Sequence, residues 1–355
     1  MSEPVLTVGQ LNRALLARQL LLDRSTVDLA SALEQLGGLS APFAPSAYIG
    51  LWTRLADFDR TSLTQALEQR AAVQAAVMRQ TWHVVAPSDF GPMAAGVRRA
   101  RREWWLRVAR SRGLAEYDYQ LLADKLRTAL QDGPMRRQDL LREIDRAGYP
   151  RHAFEGVALW LDLLRVPPQA TWDRPQADLF ALAQNWLGPQ ALSSEEVAES
   201  EGLDFLLRRY LRAFGPGSLS DAASWAGVPA RWFEPSADRL DLRRFRHTNG
   251  ATLFDLPYGP IPDADVEAPV RFLPSWDATL LVHARRANLV PEHRRDQIFG
   301  GEKPNLIGTF LVDGVVAGTW RCPDGVVIFE PFEPLTDKAR VEVESEAANL
   351  AEFHR

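Results

Sequence analysis

The sequence concentrates positive charge in one segment, which runs from Arg98 to Arg112 and holds seven arginines against a single acid, Glu103. At 100° per residue, Arg98, Arg99 and Arg102 project from one side of a helix. The opposite side carries apolar residues: Val97, Ala100, Trp104 and Val108. Because a guanidinium group can bind phosphate through two parallel hydrogen bonds, we predict that the three arginines contact the phosphates of a polyanion. A solvated charged face is the alternative interpretation.

A second polar set lies just before this segment. Arg79, Thr81 and His83 occupy every second position, so in a strand they would share one face. Such a face could bind phosphate or orient a polar ligand. The alternative is a structural hairpin strand with a polar outer side.

The common catalytic signatures are missing from the sequence. Its six histidines include no pair at the helical i, i+4 spacing, and Cys322 is the only cysteine, so we expect no metal site. The sequence has no P-loop, no GxGxxG motif and no GxSxG motif. We therefore expect no cofactor.

Length and composition bound the class of protein. The chain has 355 residues, 46% of them apolar and 25% charged, which is typical of a soluble protein with several domains. It has no apolar run of about 18 residues and no N-terminal signal pattern. A single cysteine excludes an internal disulfide, so we expect a cytoplasmic protein. We also expect the protein to be a monomer. Although the net charge is −5, the local field of the arginine-rich segment is enough to attract a polyanion.

The elements that must position these residues follow a repeated plan. Residues 118–166 and 201–257 are each predicted to form a helix, a Gly-Pro break, a second helix, a proline-containing turn, a third helix and an alternating segment. Residues 1–86 are predicted to form helices followed by a strand pair, with a long helix after Pro87. Three helices and a hairpin are the order of a winged helix, and generic helical hairpins are the alternative.

The C-terminal part differs in pattern. A linker rich in proline and acid spans residues 258–270, and two Asp-Gly turns, Asp313-Gly314 and Asp324-Gly325, then separate β-branched and aromatic runs. Asp-Gly between such runs is a strong hairpin signal. We therefore predict three antiparallel strands in a small barrel or sheet, closed by an acidic helix.

Several motifs together resemble the AlkZ/YcaQ-type winged-helix DNA glycosylase family. They are Leu51-Trp52-Thr53-Arg54, Met78-Arg79-Gln80-Thr81-Trp82-His83, Leu311-Val312-Asp313-Gly314 and Gly318-Thr319-Trp320, with segments 272–286 and 291–300. The resemblance implies an α+β, mainly helical fold, with three tandem winged helices at 1–116, 117–190 and 191–265. A C-terminal β-barrel at 266–355 would complete a C-shaped cradle for double-stranded DNA. Within this cradle we expect DNA contacts from Arg54, Arg79, Thr81, His83, Arg98, Arg99 and Arg102.

The same resemblance implies a chemistry. The family excises alkylated purines, especially N7-alkylguanine and crosslinked bases, by monofunctional hydrolysis of the N-glycosidic bond, and uses a Gln-x-Gln or Gln-x-Asp motif. In this sequence Ser40 and Pro42 occupy the two motif positions. Proline has neither a polar side chain nor an N–H, so we predict weak excision. A non-catalytic protein that binds DNA lesions is the alternative, and a transcription regulator is a more distant one.

Overall fold

The computed structural model describes residues 3–188, 194, 196–281, 289–299 and 307–355. About half of these residues are helical. The predicted boundary between residues 190 and 191 lies outside the described residues, as do parts of segments 272–286 and 291–300. No helix in the described ranges is long and apolar enough to cross a membrane.

The N-terminal segment alternates short strands with helices. In chain order its elements are β1 (Val5–Leu6), α1 (Val8–Arg18), α2 (Leu29–Leu36), β2 (Leu39–Ser40), α3 (Ala44–Trp52), α4 (Arg60–Glu68), β3 (Val73–Ala76) and β4 (Trp82–Val85). The sequence predicts Thr7 as the cap of α1, and Thr7 does cap this helix, in a capping box with Gln10. The sequence pattern favours Ser25 as the cap of α2, but the cap is Asp28, because the Asp28 carboxylate accepts a hydrogen bond from the Ser31 N–H.

The second segment follows the long helix α5 (Pro87–Ser111). Its elements are α6 (Tyr119–Ala129), β5 (Met135–Arg136), α7 (Arg137–Arg146), α8 (Ala153–Val157), β6 (Leu163–Arg165), β7 (Leu179–Leu182) and α9 (Ala183–Leu187). The sequence predicts a third helix over residues 154–165, but residues 163–165 form a strand. A short, fully buried apolar run has no periodicity that distinguishes the two structures.

The third segment repeats the order of the second. Its elements are α10 (Glu199–Phe214), α11 (Leu219–Ala226), α12 (Glu234–Arg239), β8 (Arg243–His247) and β9 (Thr252–Asp255). An isolated bridge between Gly217 and Phe254 lies where the other two segments have their first short strand, β2 or β5. The order helix, strand, helix, helix, strand, strand thus occurs twice, and the third segment repeats it with a single bridge in place of the first strand.

The strands of the first two segments form one sheet, which the sequence did not predict. Its strand order is β2-β4-β3-β6-β7-β5, and the antiparallel pairing of Ala75 with Leu164 joins the two segments. The third segment has a separate sheet, to which β1 adds in parallel at the outer edge of β8. The first segment is therefore tied by backbone hydrogen bonds to both of the others.

The C-terminal part contains β10 (Arg271–Leu273), α13 (Ala278–Leu281), α14 (Arg295–Phe299), β11 (Gly308–Val312), β12 (Val315–Arg321), β13 (Ile328–Pro331) and α15 (Asp337–His354). The four strands form an open antiparallel sheet in chain order. The predicted closed barrel is wrong for the described residues, because four short strands are too few to close. The two Asp-Gly pairs do form the connections, with φ of 47° at Asp313 and 75° at Gly314.

Helix α5 carries the arginine-rich segment and is held by a close crossing with α10. The two helices meet at Gly96 and Gly202, where a Cβ on Gly202 would lie 2.5 Å from the Gly96 nitrogen. Only glycine permits this approach, so the crossing point is fixed by these two residues. The crossing places α5 against the third segment while its C-terminal half packs on the second.

Candidate catalytic pair and nucleic-acid interface

Ser40 and His83 are neighbours on adjacent strands. They are paired in the register of β2 with β4, and both are buried. The Ala41 N–H donates to the Trp82 carbonyl at 2.7 Å, so the Ser40–His83 pair is a non-hydrogen-bonded one. In such pairs the side chains lie on the same face and are close together. The first family motif position is therefore beside an imidazole, as expected for His83 from the family motif in the same segment.

The hydrogen bonding of His83 fixes its tautomer. Its Nδ1 lies 2.9 Å from the Thr81 carbonyl oxygen, which can only accept, so Nδ1 carries the proton. Nε2 is then an acceptor, and it is buried without a partner among the described residues. Burial, together with the charge of Arg79, lowers the pKa of His83 to about 3. The imidazole is therefore neutral at physiological pH and offers one free lone pair next to Ser40.

The second motif position supplies no polar group. Pro42 is exposed, and Phe43, which precedes helix α3, makes no side-chain cap. The nearby Gln35 does not replace the missing glutamine, because its amide nitrogen donates to the Arg18 carbonyl at 3.3 Å. Of the two motif positions, only Ser40 therefore carries a polar side chain, with His83 paired opposite it.

The burial of His83 predicts a specific pH dependence of stability. Its pKa is about 3 in the folded chain and near 6.5 when unfolded, so between these values only the unfolded state takes up the proton. This contribution to stability is complete above pH 6.5 and is lost as the pH falls towards 3. We expect His83→Gln to remove up to ~1.4 kcal/mol per pH unit from the slope of the free energy of unfolding in that window.

Urea unfolding of both proteins at several pH values checks this expectation. Other groups titrate in the same window, so the difference between the two proteins is the relevant quantity. Identical slopes would contradict a neutral, buried His83.

Arg79 and Thr81 do not share a strand face with His83, so this prediction was wrong. Residues 78–80 form a tight turn in which Arg79 and Gln80 have φ of 49° and 60°. The Thr81 hydroxyl donates to the Met78 carbonyl inside the turn, and Arg79 donates to the Trp225 carbonyl at 3.3 Å. The strand begins only at Trp82, because the chain must reverse direction between β3 and β4.

Arg54 is not available to DNA, which corrects another prediction. Its side chain has 0% exposure, and its Nη2 donates to Asp277 Oδ1 at 2.8 Å and to Thr279 Oγ1 at 3.0 Å. Burial by itself would raise the pKa of Asp277, but the charge and hydrogen bond of Arg54 hold it below its usual value. Arg54 thus joins α3 to the C-terminal part as a buried ion pair.

The three arginines of α5 differ in their environments. Arg99 is half exposed, lies 2.8 Å from Glu199 and has its guanidinium 3.7 Å from the centre of the Trp232 ring. Arg102 is partly buried and donates to the Leu159 carbonyl at 3.2 Å. Arg98 is partly buried too, and its Nη2 has no partner among the described residues. Of these three arginines, Arg99 alone is exposed.

The buried side of α5 also differs from the predicted stripe. Trp104 is 41% exposed, whereas Trp105 is 3% exposed and packs edge-on against Tyr119. Val97 and Ala100 lie in the core shared with the third segment, but Trp105 and Ala109 enter the core of the second. The helix changes partner along its length, so one straight stripe could not describe it.

Other candidate chemistry is limited. No group of three or more His, Cys, Asp and Glu side chains that could hold a metal ion is found within the described part of the chain. Asp277 is the polar residue whose role the sequence did not predict. It belongs to segment 272–286, one of the motifs that carried the resemblance.

Comparison with known proteins agrees with the fold. Residues 33–353 match the family model of AlkZ-like DNA glycosylases, and the chain belongs to this family. An interstrand DNA cross-link repair glycosylase of Streptomyces sahachiroi is 23% identical over 358 residues, which cover 94% of this chain and 93% of that protein. The structure of Streptomyces sahachiroi DNA glycosylase AlkZ matches with a TM-score of 0.76 at 19% identity, over 98% of this chain and 97% of that one.

Proposed function

We propose that the chain binds damaged double-stranded DNA and slowly excises alkylated purines, with Ser40 and His83 orienting the attacking water. The observation that carries this proposal is the unpaired, buried Nε2 of His83 beside Ser40, at the position where the family carries its catalytic motif. Family membership supports the reaction class, and the named relatives are DNA glycosylases. The substrate class, N7-alkylguanine, follows from the family resemblance.

The reaction needs little catalytic assistance from the protein, because the leaving group is already activated. N7 alkylation makes the purine cationic, so the bond between the base nitrogen and the sugar C1′ breaks with both electrons going to the departing base. Water adds to C1′ and loses a proton to solvent, which gives a free neutral base and an abasic site. The neutral imidazole of His83, with a pKa of about 3, is too weak a base to keep that proton at neutral pH. Its lone pair can still accept a hydrogen bond from the water, and the Ser40 hydroxyl can hold the water from its other side.

A non-catalytic lesion-binding protein is the second candidate. Pro42 favours it, because this position offers no hydrogen bond to a water or to the sugar. The two candidates make different predictions for product formation. Incubating the chain with duplex that contains N7-methylguanine, followed by cleavage at abasic sites, yields strand breaks only if the base is removed. Binding without breaks would support the second candidate.

We also propose that each repeated order of elements is a winged helix, with domains at 1–116, 117–190 and 191–265 and a C-terminal unit at 266–355. The recurrence of helix, strand, helix, helix, strand, strand supports this division, with a single bridge replacing the first strand in the third segment. In this arrangement α5 passes from the first unit to the second. Its exposed arginines would then line the DNA cradle.

Replacing Arg98, Arg99 and Arg102 together with alanine is expected to weaken duplex binding. Each lost phosphate contact reduces the slope of log K against log salt by up to ~0.9. Arg99 must exchange its ion pair with Glu199 for a phosphate, so Glu199→Gln alone is expected to strengthen binding. Titrations of labelled duplex at several salt concentrations measure both effects.

Arg321→Ala is the matched control for this experiment. Arg321 is exposed on the C-terminal sheet and pairs with Glu330, away from α5. A salt slope that the triple substitution leaves unchanged would remove the phosphate role of these arginines.

A further inference from the structure

A cavity of about 360 Å³ lies between α5, α8 and the face of the six-stranded sheet opposite to the candidate catalytic pair. Trp82 lines it, and since successive residues of a strand point to opposite faces, His83 points away from it. Its walls are largely aromatic and include Trp82, Trp104, Phe154 and Phe180. Trp104 is 41% exposed, so this wall reaches the protein surface. The cavity is therefore separate from the candidate catalytic pair, Ser40 and His83.

Three arginines line the same cavity. The guanidinium of Arg165 stacks on the Trp82 ring at 4.0 Å, and its Nε is buried without an acceptor among the described residues. Burial lowers the pKa of Arg165 to about 10, and no carboxylate offsets this effect. Arg101 is 8% exposed and donates through Nη1 to the Ala76 carbonyl at 2.8 Å, but its Nε has no partner in the described part of the chain. Arg137 stacks on Phe154 at 5.3 Å.

The acids of the cavity do not neutralise these arginines. Glu155 lies 3.4 Å from Arg112, which is outside the cavity lining, and so has a cation of its own. Asp162 accepts a hydrogen bond from Ser194 at 2.6 Å and offsets part of the charge of Arg101. Arg165 and Arg137 therefore leave an excess of positive charge against aromatic walls, and the Nε groups of Arg165 and Arg101 are unpaired donors among the described residues. A buried N–H donor without a partner is unfavourable unless a ligand supplies the acceptor.

We propose that this cavity binds a single unstacked nucleotide, with its base against the tryptophan rings and its phosphate on the guanidinium groups of Arg165, Arg101 and Arg137. Aromatic side chains stack on bases, and guanidinium forks bind phosphate oxygens. The volume is within the range of small-molecule sites. The nucleotide is either a free mononucleotide or a nucleotide unpaired from a bound DNA strand. Excision at Ser40 and His83 is not required for this binding.

Isothermal titration calorimetry with the full chain tests the proposal. The probes are dGMP, deoxyguanosine, inorganic phosphate, a fully paired duplex and the same duplex with one unpaired nucleotide. We expect saturable binding of dGMP, or a gain in affinity from the unpaired nucleotide, and weaker binding of deoxyguanosine and of phosphate than of dGMP. A response to dGMP identifies a free nucleotide as a ligand, whereas a response confined to the unpaired duplex identifies a DNA strand as its source.

Arg165→Gln is expected to lower the affinity for the responding probe at least ~tenfold, because it removes a charged donor to phosphate. Arg137→Gln, on the exposed side of the site, is expected to lower the affinity for the same probe. It provides a second variant if Arg165→Gln folds poorly. Arg244→Gln is the matched control, since Arg244 stacks on Phe254 at 5.5 Å outside the cavity. Unchanged affinities in Arg165→Gln and Arg137→Gln, or phosphate binding as tight as that of dGMP, would overturn the proposal.

Discussion

Replacing Asp277 by alanine is expected to lower the free energy of unfolding by about 3–5 kcal/mol, because the change leaves the Arg54 guanidinium buried without its counterion. Both side chains are almost fully buried, at 0% and 1% exposure, and their atoms lie 2.8 Å apart. Arg54 also donates to the Gly50 carbonyl at 2.9 Å, so it is held in place and cannot move to solvent easily. Urea unfolding at neutral pH measures the loss.

Two further variants separate this pair from ordinary surface charges. Asp337→Ala removes the partner of Arg340 at an exposed site, where a pair contributes about 0–1 kcal/mol. Replacing both partners, as Arg54→Met with Asp277→Leu, is expected to recover much of the loss, because no lone charge remains buried. A loss no larger in Asp277→Ala than in Asp337→Ala would contradict the role assigned to the buried pair.

Restoring the family motif is expected to raise the rate of base excision by at least ~10²-fold, the lower part of the range for a positioned group that orients or activates water. The double substitution Ser40→Gln with Pro42→Gln introduces two amides in place of one hydroxyl and a proline. Single-turnover release of N7-methylguanine from duplex DNA measures the change.

Removing Pro42 also frees the loop backbone, so Ser40→Gln with Pro42→Ala is the required control. A gain in the double-glutamine variant alone assigns the rate to the second amide. No gain in either variant would mean that the surroundings of the motif no longer accept the family's arrangement, and would favour the lesion-binding alternative.

Local signals in the sequence predicted most of the elements. Thr7 and the Asp313-Gly314 turn each specify a backbone conformation through their own chemistry, and each appears where it was expected. The joining of two three-stranded sheets into one was not predictable in this way. It depends on the pairing of Ala75 with Leu164, and neither residue carries a signal for a partner so distant in the chain.

The candidate site was predicted less well, for two physical reasons. Periodicity places a side chain on one side of an element but cannot tell whether another element covers that side. Arg54 was therefore assigned to DNA although Asp277 buries it. Alternation also assumes a continuous strand, and the turn at residues 78–80 breaks it between Arg79 and His83. The position of the family motif was nevertheless informative, because it led to Ser40 and so to its neighbour His83.

The most direct test of the proposed reaction is the single-turnover rate of N7-methylguanine release by the unmodified chain and three variants. His83→Gln keeps an acceptor near the position of Nε2, whereas His83→Phe and Ser40→Ala each remove one polar partner of the water. We expect slow but measurable release by the unmodified chain, retention of most of that rate in His83→Gln, and a fall of at least ~tenfold in the other two. Equal rates in all four proteins, or no release by the unmodified chain, would contradict excision by Ser40 and His83.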